Sequence, residues 1–135
     1  MAFFLSGIAY AGEVSYYLYN APDKEITSLV NESSDILNQY AYDAFGNISS
    51  SEENIPNDFQ YAGEQFDNET NLIFLRNRYY DPSIGRFISK DPASGTQNTN
   101  PQTINEYPYV GNNPVNRIDP YGLTWESNAT YLWEW

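Results

Sequence analysis

The sequence predicts an all-β protein built from antiparallel hairpins, with long polar loops and little helix. Strand-like segments are short, each ends in a cluster of turn-forming residues, and no segment keeps a 3.6-residue apolar period over three turns. Aromatic residues make up 17% of the 135 residues, with 13 tyrosines among them. Tyrosine favours strands because its ring packs against cross-strand neighbours while its hydroxyl reaches a polar group or water. We therefore expect several small sheets.

The first half of the chain carries clear hairpin signals. Its predicted strands are Val14–Tyr19, Ile26–Val30 and Ile36–Tyr42. Proline and aspartate favour a turn at residues 20–23, between the first two strands. In the sequence Asp-Ala-Phe-Gly-Asn at residues 43–47, the glycine and the asparagine tolerate positive φ, so the chain can reverse into Ile48. Residues 49–58 are mostly polar and are predicted to form a loop.

The second half carries strand signals interrupted by polar segments. Its predicted strands are Phe59–Ala62, Leu72–Tyr80 and Arg86–Ser89, followed by short extended segments at residues 107–110 and 115–118. The apolar residues of 72–80 do not alternate cleanly, so a bulge or twist is expected near residues 75–77. The sequence Asp-Pro-Ser-Ile-Gly at 81–85 predicts a turn, and residues 93–106 predict a polar loop.

Weak internal repetition is visible along the chain. Three segments place tyrosine just before an asparagine or aspartate that begins a turn, namely residues 17–20, 40–43 and 79–82. Repeats of this kind indicate stacked units that bury a continuous surface together.

The charge and the missing residue types exclude several functions. The net charge is −12, from 18 acidic and 6 basic residues, and it disfavours nucleic acid and anionic lipid as partners. The chain has no cysteine and no histidine, so it lacks a thiol nucleophile, an imidazole base and the commonest metal ligand. No acidic segment has the spacing of a calcium-binding loop. We expect neither a cofactor nor a metal.

The N-terminus gives only a weak targeting signal. Residues 1–11 end in a small-x-small pattern, but their apolar run is short and no basic residue precedes it, which favours an unprocessed N-terminus. No segment approaches the roughly 18 apolar residues of a membrane-spanning helix.

Several separated motifs resemble one family. Tyr40-Ala41-Tyr42-Asp43-Ala44-Phe45-Gly46-Asn47 resembles the tyrosine-aspartate (YD) repeat of bacterial Rhs proteins. The segments that resemble the Rhs-associated core and its closing signature are residues 61–65, 75–92, 109–116 and 119–123. The motifs stand in the family's order. The resemblance implies an N-terminal segment at 1–15 that forms a partial strand, an Rhs-associated core with YD-like repeats at 16–123, and a short tail at 124–135.

The resemblance also implies a function. In this family YD repeats spiral into a hollow shell that is secreted or cell-surface, and the core closes the shell around a C-terminal toxin. An upstream shell and a toxin are therefore the implied partners. Self-cleavage by an aspartic-protease-like pair is implied at Asp91 and Asp119, with the cut between Leu123 and Thr124. Lys90 and Arg86 are the expected supporting residues, although arginine is frequent in the family where this chain has Lys90, and lysine lacks the bidentate guanidinium contact.

The residues support this chemistry without requiring it. Two close carboxylates share a proton, so that one activates water and the other polarises the scissile carbonyl. Yet Asp-Pro pairs are commonly turn formers, which is the alternative interpretation of residues 91–92 and 119–120. Arg76, Arg78 and Arg86 are expected on a solvated strand face or stacked on tyrosine rather than bound to a carboxylate.

Two other functions stay open. One is a surface module whose exposed aromatic side chains bind carbohydrate or a neighbouring cell. The other is a remnant without function, since only 12 residues follow Leu123, too few to fold as a toxin. In no case is a turnover enzyme expected.

Overall fold

The computed structural model describes residues 6–10, 13–20, 24–92 and 105–127, and these form an all-β protein, which confirms the predicted fold class. The strands are β1 (Ser6–Tyr10), β2 (Glu13–Tyr19), β3 (Ile26–Asn31), β4 (Ile36–Tyr42), β5 (Ile48–Glu53), β6 (Gln65–Asp67), β7 (Leu72–Leu75), β8 (Arg78–Asp81), β9 (Arg86–Phe87), β10 (Arg117–Ile118) and β11 (Glu126–Ser127). In the described part of the chain, two 3₁₀ turns lie at Tyr61–Gly63 and Tyr109–Asn112. The chain divides into two compact units, the first ending at Gln65 and the second beginning at Phe66. Among the described residues, no helix is long and apolar enough to cross a membrane.

The first unit is a five-stranded antiparallel meander in the order β1-β2-β3-β4-β5. Strands β2, β3 and β4 begin and end within one residue of their predicted bounds. The predicted loop at 49–58 is wrong in its first part, because β5 pairs with β4 there. Every residue of β5 is exposed, so the strand pairs through its backbone and carries no apolar alternation that a sequence could reveal.

Tyrosines fill the core of the first unit, and buried amides satisfy their hydroxyls. Tyr17 and Tyr40 pack with Ile26 and Leu29 in one buried cluster. The Tyr17 hydroxyl donates to Oδ1 of Asn57 at 3.1 Å, and Nδ2 of Asn57 donates to the Tyr40 hydroxyl at 3.1 Å. A buried hydroxyl without a partner would destabilise the fold, so tyrosine in this core requires the amides beside it.

The YD motif forms the turn between β4 and β5. Oδ1 of Asp43 accepts hydrogen bonds from the backbone N–H groups of Phe45 at 2.9 Å and Asn47 at 3.0 Å. Gly46 has φ +91° and lies under the ring of Tyr61, where a Cβ would come within 2.6 Å of ring carbons. The turn at residues 43–47 therefore needs a hydrogen-bond acceptor at Asp43, its first position, and glycine at Gly46, its fourth.

The second unit contains a four-stranded sheet in the order β6-β7-β8-β9 and a separate pair of short strands, β10 and β11. The single strand predicted at 72–80 is wrong: β7 and β8 are the two arms of a hairpin that reverses at Arg76 and Asn77. Arg76 has φ +58°, a conformation that glycine usually adopts in such turns. The turn contains neither glycine nor proline, so the sequence lacks these two turn signals there. The broken alternation near residues 75–77 marks this reversal and not a bulge.

Other predicted elements of the chain are shorter than expected. Phe59 forms only an isolated bridge with Gln65, and a 3₁₀ turn replaces the rest of the strand predicted at 59–62. The strand predicted at 86–89 is reduced to Arg86–Phe87. Most of the polar loop predicted at 93–106 lies outside the described residues.

Packed rings form the core of the second unit. Tyr80 lies with its ring centroid 4.3 Å from that of Tyr109 and 5.9 Å from that of Phe87. Ile73 and Leu75 are buried on β7. Since side chains alternate along a strand, Arg78 lies on the same face of β8 as Tyr80, and both are buried.

Candidate functional site

Asp119 lies in a turn of the same design as the YD turn. Its Oδ1 accepts hydrogen bonds from the backbone N–H groups of Tyr121 at 3.4 Å and Leu123 at 3.0 Å, two and four residues ahead. Asp43 makes the same two bonds, and both turns have an aromatic residue at the third position and glycine at the fourth. One carboxylate oxygen of Asp119 therefore holds the turn, as the turn interpretation of the Asp-Pro pair expects.

The other carboxylate oxygen of Asp119 points to a buried arginine that also binds Asp91. Nη2 of Arg78 lies 3.6 Å from Oδ2 of Asp119 and 3.3 Å from Oδ2 of Asp91. The two oxygens cannot be farther apart than the sum of these distances, and both face the same guanidinium nitrogen. Asp91 and Asp119, 28 positions apart in the sequence, thus meet at one nitrogen atom. We call Arg78, Asp91 and Asp119 the Arg78 cluster.

Arg78 is buried, and the expectation that it lies on a solvated strand face is wrong. Its side chain is only 4% exposed. Nε donates to the carbonyl oxygen of Gly122, Nη1 donates to the carbonyl oxygen of Glu106 at 3.0 Å, and the guanidinium lies 3.5 Å from the ring centroid of Phe87. A buried guanidinium needs partners for its donors, and three chain segments supply them, at Asp91, at Glu106 and at 119–122.

The turn that contains Asp119 fits closely against the β7–β8 hairpin. Gly122 has φ +67°, and a Cβ there would lie 2.2 Å from the carbonyl oxygen of Leu75. Nδ2 of Asn77 donates to the carbonyl oxygen of Tyr121 at 2.8 Å. The backbone leading to Leu123 is therefore held beside the Arg78 cluster.

The two expected supporting residues bind other groups. Nζ of Lys90 pairs with Oε2 of Glu106 at 3.2 Å, and its side chain is 61% exposed. Nη2 of Arg86 donates to Oδ1 of Asn105 at 3.3 Å, and its guanidinium lies 5.9 Å from the ring centroid of Tyr107. Ring contact of this kind also occurs at Arg76, which lies over Tyr121. Lys90 is linked to the cluster through Glu106, whose carbonyl Arg78 binds.

Burial dominates the electrostatics of the cluster. Burial raises the pKa of Asp119 to about 6, against the lowering effects of the Leu123 N–H, the Arg78 charge and the Tyr121 N–H. Burial also lowers the pKa of Arg78, although both carboxylates oppose that change. Both pKa shifts have the same cause. Removing the charged groups from water costs more free energy here than their mutual attraction contributes. Asp119 is thus the acid of the pair that burial favours in its protonated form.

The stability of the fold should report this shift. The folded state holds the Asp119 proton more tightly than the unfolded chain, so protonation stabilises the fold as the pH falls through about 6. As the pH rises from 4 to 8, the free energy of unfolding of the parent should fall by on the order of 2–3 kcal/mol relative to that of Asp119→Asn, which has no carboxyl group to ionise at this position. Denaturant unfolding of both chains at each pH measures this difference. Other acidic groups titrate in both chains, so their effect cancels when the two free energies of unfolding are subtracted. A difference that does not change with pH would contradict the raised pKa.

Metal chemistry has no visible support in the described part of the chain. No group of three or more acidic, histidine or cysteine side chains there is arranged to hold a metal ion.

Comparison with known proteins places the fold. The family model of the teneurin YD-shell matches residues 8–115. The match includes the first acid of the cluster, Asp91, and ends before Asp119.

Individual relatives are similar over most of this chain. The tRNA3(Ser)-specific nuclease WapA of Bacillus spizizenii is 40% identical over 114 residues, which cover 82% of this chain and 5% of that protein. Salivary gland surface protein 1 of Aedes aegypti is 36% identical over 112 residues, or 79% of this chain and 3% of that protein. The crystal structure of TcdB2-TccC3-TEV superposes with a TM-score of 0.73 and 27% identity over 85% of this chain and 5% of that one. The chain thus corresponds to a small part of the proteins it resembles.

Proposed function

This chain belongs to the teneurin YD-shell family, and we propose that it is the end segment of a bacterial toxin-encapsulating shell that cuts its own backbone between Leu123 and Thr124. One observation carries the proposed cleavage: Asp91 and Asp119 meet at Arg78, and the Leu123 N–H is bonded to Asp119. The substrate is then a neighbouring part of the same chain.

The shell role rests on the family and on the strand arrangement. The first unit is a meander whose consecutive strands pair as neighbours, and its YD turn is built from an aspartate acceptor and a glycine under a tyrosine ring. Further YD hairpins would extend such a meander on its edge strands. We therefore place an upstream YD shell and a C-terminal toxin among the partners, in a secreted or cell-surface protein. A relative named as a nuclease fits a toxin carried by such a shell.

The proposed step is hydrolysis of one peptide bond. Ionised Asp91, with a side chain 17% exposed, takes a proton from water, and the water oxygen attacks the carbonyl carbon of Leu123. Protonated Asp119, with a side chain 3% exposed, donates its proton to the carbonyl oxygen. As the tetrahedral intermediate collapses, Asp91 gives the proton it took from water to the leaving nitrogen, the C–N bond to Thr124 breaks, and the hydroxyl formed from the carbonyl oxygen returns its proton to Asp119. The products are a carboxyl group on Leu123 and an amine on Thr124.

The intact mass of the chain tests the cleavage. At about pH 5, below the Asp119 pKa of about 6, the parent should lose residues 124–135, whereas Asp119→Asn should keep its full mass. The variant should keep its turn, because Oδ1 of Asn31 accepts the same pair of bonds, from the N–H groups of Ser33 at 3.0 Å and Asp35 at 2.9 Å.

Asp43→Asn is the matched control, since it makes the same exchange in a turn of the same design. It should be cleaved like the parent. Full-length mass in parent and both variants would remove the self-cleavage proposal and favour a shell remnant or a binding module. Equal cleavage in the parent and Asp119→Asn would remove Asp119 from the mechanism.

A further inference from the structure

Arg78 contacts both acids and the backbone just before the proposed cut. We propose that Arg78 is a positioning residue, which holds the scissile segment against the two carboxylates and sets the pH range in which they share a proton. This inference rests on the proposed self-cleavage.

The three nitrogens of the guanidinium have separate tasks. Nη2 faces the carboxylate oxygens of Asp91 and Asp119. Nε binds the carbonyl of Gly122, which belongs to the peptide bond directly before Leu123. Nη1 binds the carbonyl of Glu106 and so fixes the rotation of the group. The side chain therefore sets the distance between the acids and the scissile segment.

The strand beneath Arg78 makes this arrangement rigid. β8 is paired on both sides, with β7 and with β9. The guanidinium is also stacked on Phe87, whose ring belongs to the packed core of the second unit. Only arginine offers five N–H donors in a fixed plane, whereas lysine has one nitrogen and cannot reach the acids, Gly122 and Glu106 together. Small displacements from a reactive geometry slow a reaction strongly.

The charge of Arg78 acts on the acids as well. The charged groups around the carboxylates are Arg78 itself and, one step away, the Lys90–Glu106 ion pair whose Glu106 also binds Arg78. A positive charge between two carboxylates favours their ionised forms and opposes proton sharing at high pH. If Arg78 is made neutral, Asp119 should hold its proton up to a higher pH, because the Arg78 charge lowers the pKa of Asp119.

Cleavage rates of Arg78→Lys and Arg78→Gln test both tasks. We expect Arg78→Lys to cleave about 100-fold more slowly than the parent, because the Gly122 contact is lost. In Arg78→Gln the remaining cleavage should extend to higher pH than in the parent. Arg76→Lys is the matched control: it makes the same exchange two residues earlier on an exposed side chain, it leaves a cation to contact the Tyr121 ring, and it should cleave like the parent.

The outcomes separate the two proposals. An uncleaved parent removes the self-cleavage, whereas a cleaved parent with an unchanged rate in Arg78→Lys, or an unshifted pH profile in Arg78→Gln, overturns the role of Arg78. If a variant does not fold, side-chain NMR of the parent chain tests the positioning role instead. The Nε–H of Arg78 should exchange much more slowly with water than that of exposed Arg76. Equally fast exchange would overturn the positioning role whether or not the chain is cleaved.

Discussion

Gly122→Ala should destabilise the second unit by about 2–5 kcal/mol and stop the proposed cleavage. The residue has φ +67°, which side chains with a Cβ rarely adopt, and the added carbon would lie 2.2 Å from the carbonyl oxygen of Leu75. That oxygen belongs to the backbone of β7 and cannot rotate away, so the turn must move. Moving the turn would pull the Gly122 carbonyl from Arg78 and Leu123 from Asp119.

Gly111→Ala is the matched control for Gly122→Ala. Gly111 has a similar φ of +61°, but its nearest neighbour is Nη1 of Arg117, the far end of a flexible side chain. The two variants therefore share the backbone strain and differ in the contact that resists it. Denaturant unfolding should give Gly111→Ala a loss of about 1 kcal/mol, from strain alone. Equal losses in the two variants would show that the close approach to β7 is not what requires Gly122.

The sequence predicted those strands that end in recognisable turns. β2, β3 and β4 combine β-branched or aromatic residues with proline, glycine or asparagine at their ends, and their bounds were predicted closely. The hairpin of β7 and β8 was missed because its turn, at Arg76 and Asn77, uses neither glycine nor proline. Asn77 is a turn-forming residue type, but without glycine or proline beside it the local sequence does not separate a turn from a strand position.

Missing that turn also hid the central residue of the candidate site. As one strand, residues 72–80 placed Arg76 and Arg78 on the same face, and both were expected in solvent or on tyrosine. The hairpin exposes Arg76 and buries Arg78. The spacing of Arg78 and Tyr80 was the available signal. Residues two positions apart on a strand point to the same face, so a buried Tyr80 implies that Arg78 also faces the interior. The polar partners of Arg78 lie 13 to 44 residues away in the sequence, so only the fold brings them together.

Asn38→Ala should destabilise the first unit by about 3–5 kcal/mol, because one buried side chain satisfies four polar groups. Oδ1 of Asn38 accepts from the N–H groups of Asn54 at 2.8 Å and Ile55 at 3.0 Å. Its Nδ2 donates to the Ile55 carbonyl at 2.8 Å and to the Tyr40 hydroxyl at 3.0 Å. Alanine would remove all four bonds, and the groups left unpaired each cost about 1–3 kcal/mol where water cannot replace the amide.

Asn54→Ala provides the matched control, and hydrogen exchange provides the readout. Nδ2 of Asn54 donates to the Leu37 carbonyl at 2.6 Å, but its side chain is exposed, so water can take its place and the loss should stay below about 1 kcal/mol. Backbone amides of β4 and β5 should exchange faster in Asn38→Ala, while those of β7 and β8 keep the rates of the parent. A loss in Asn38→Ala no larger than in Asn54→Ala would mean that the polar network is dispensable.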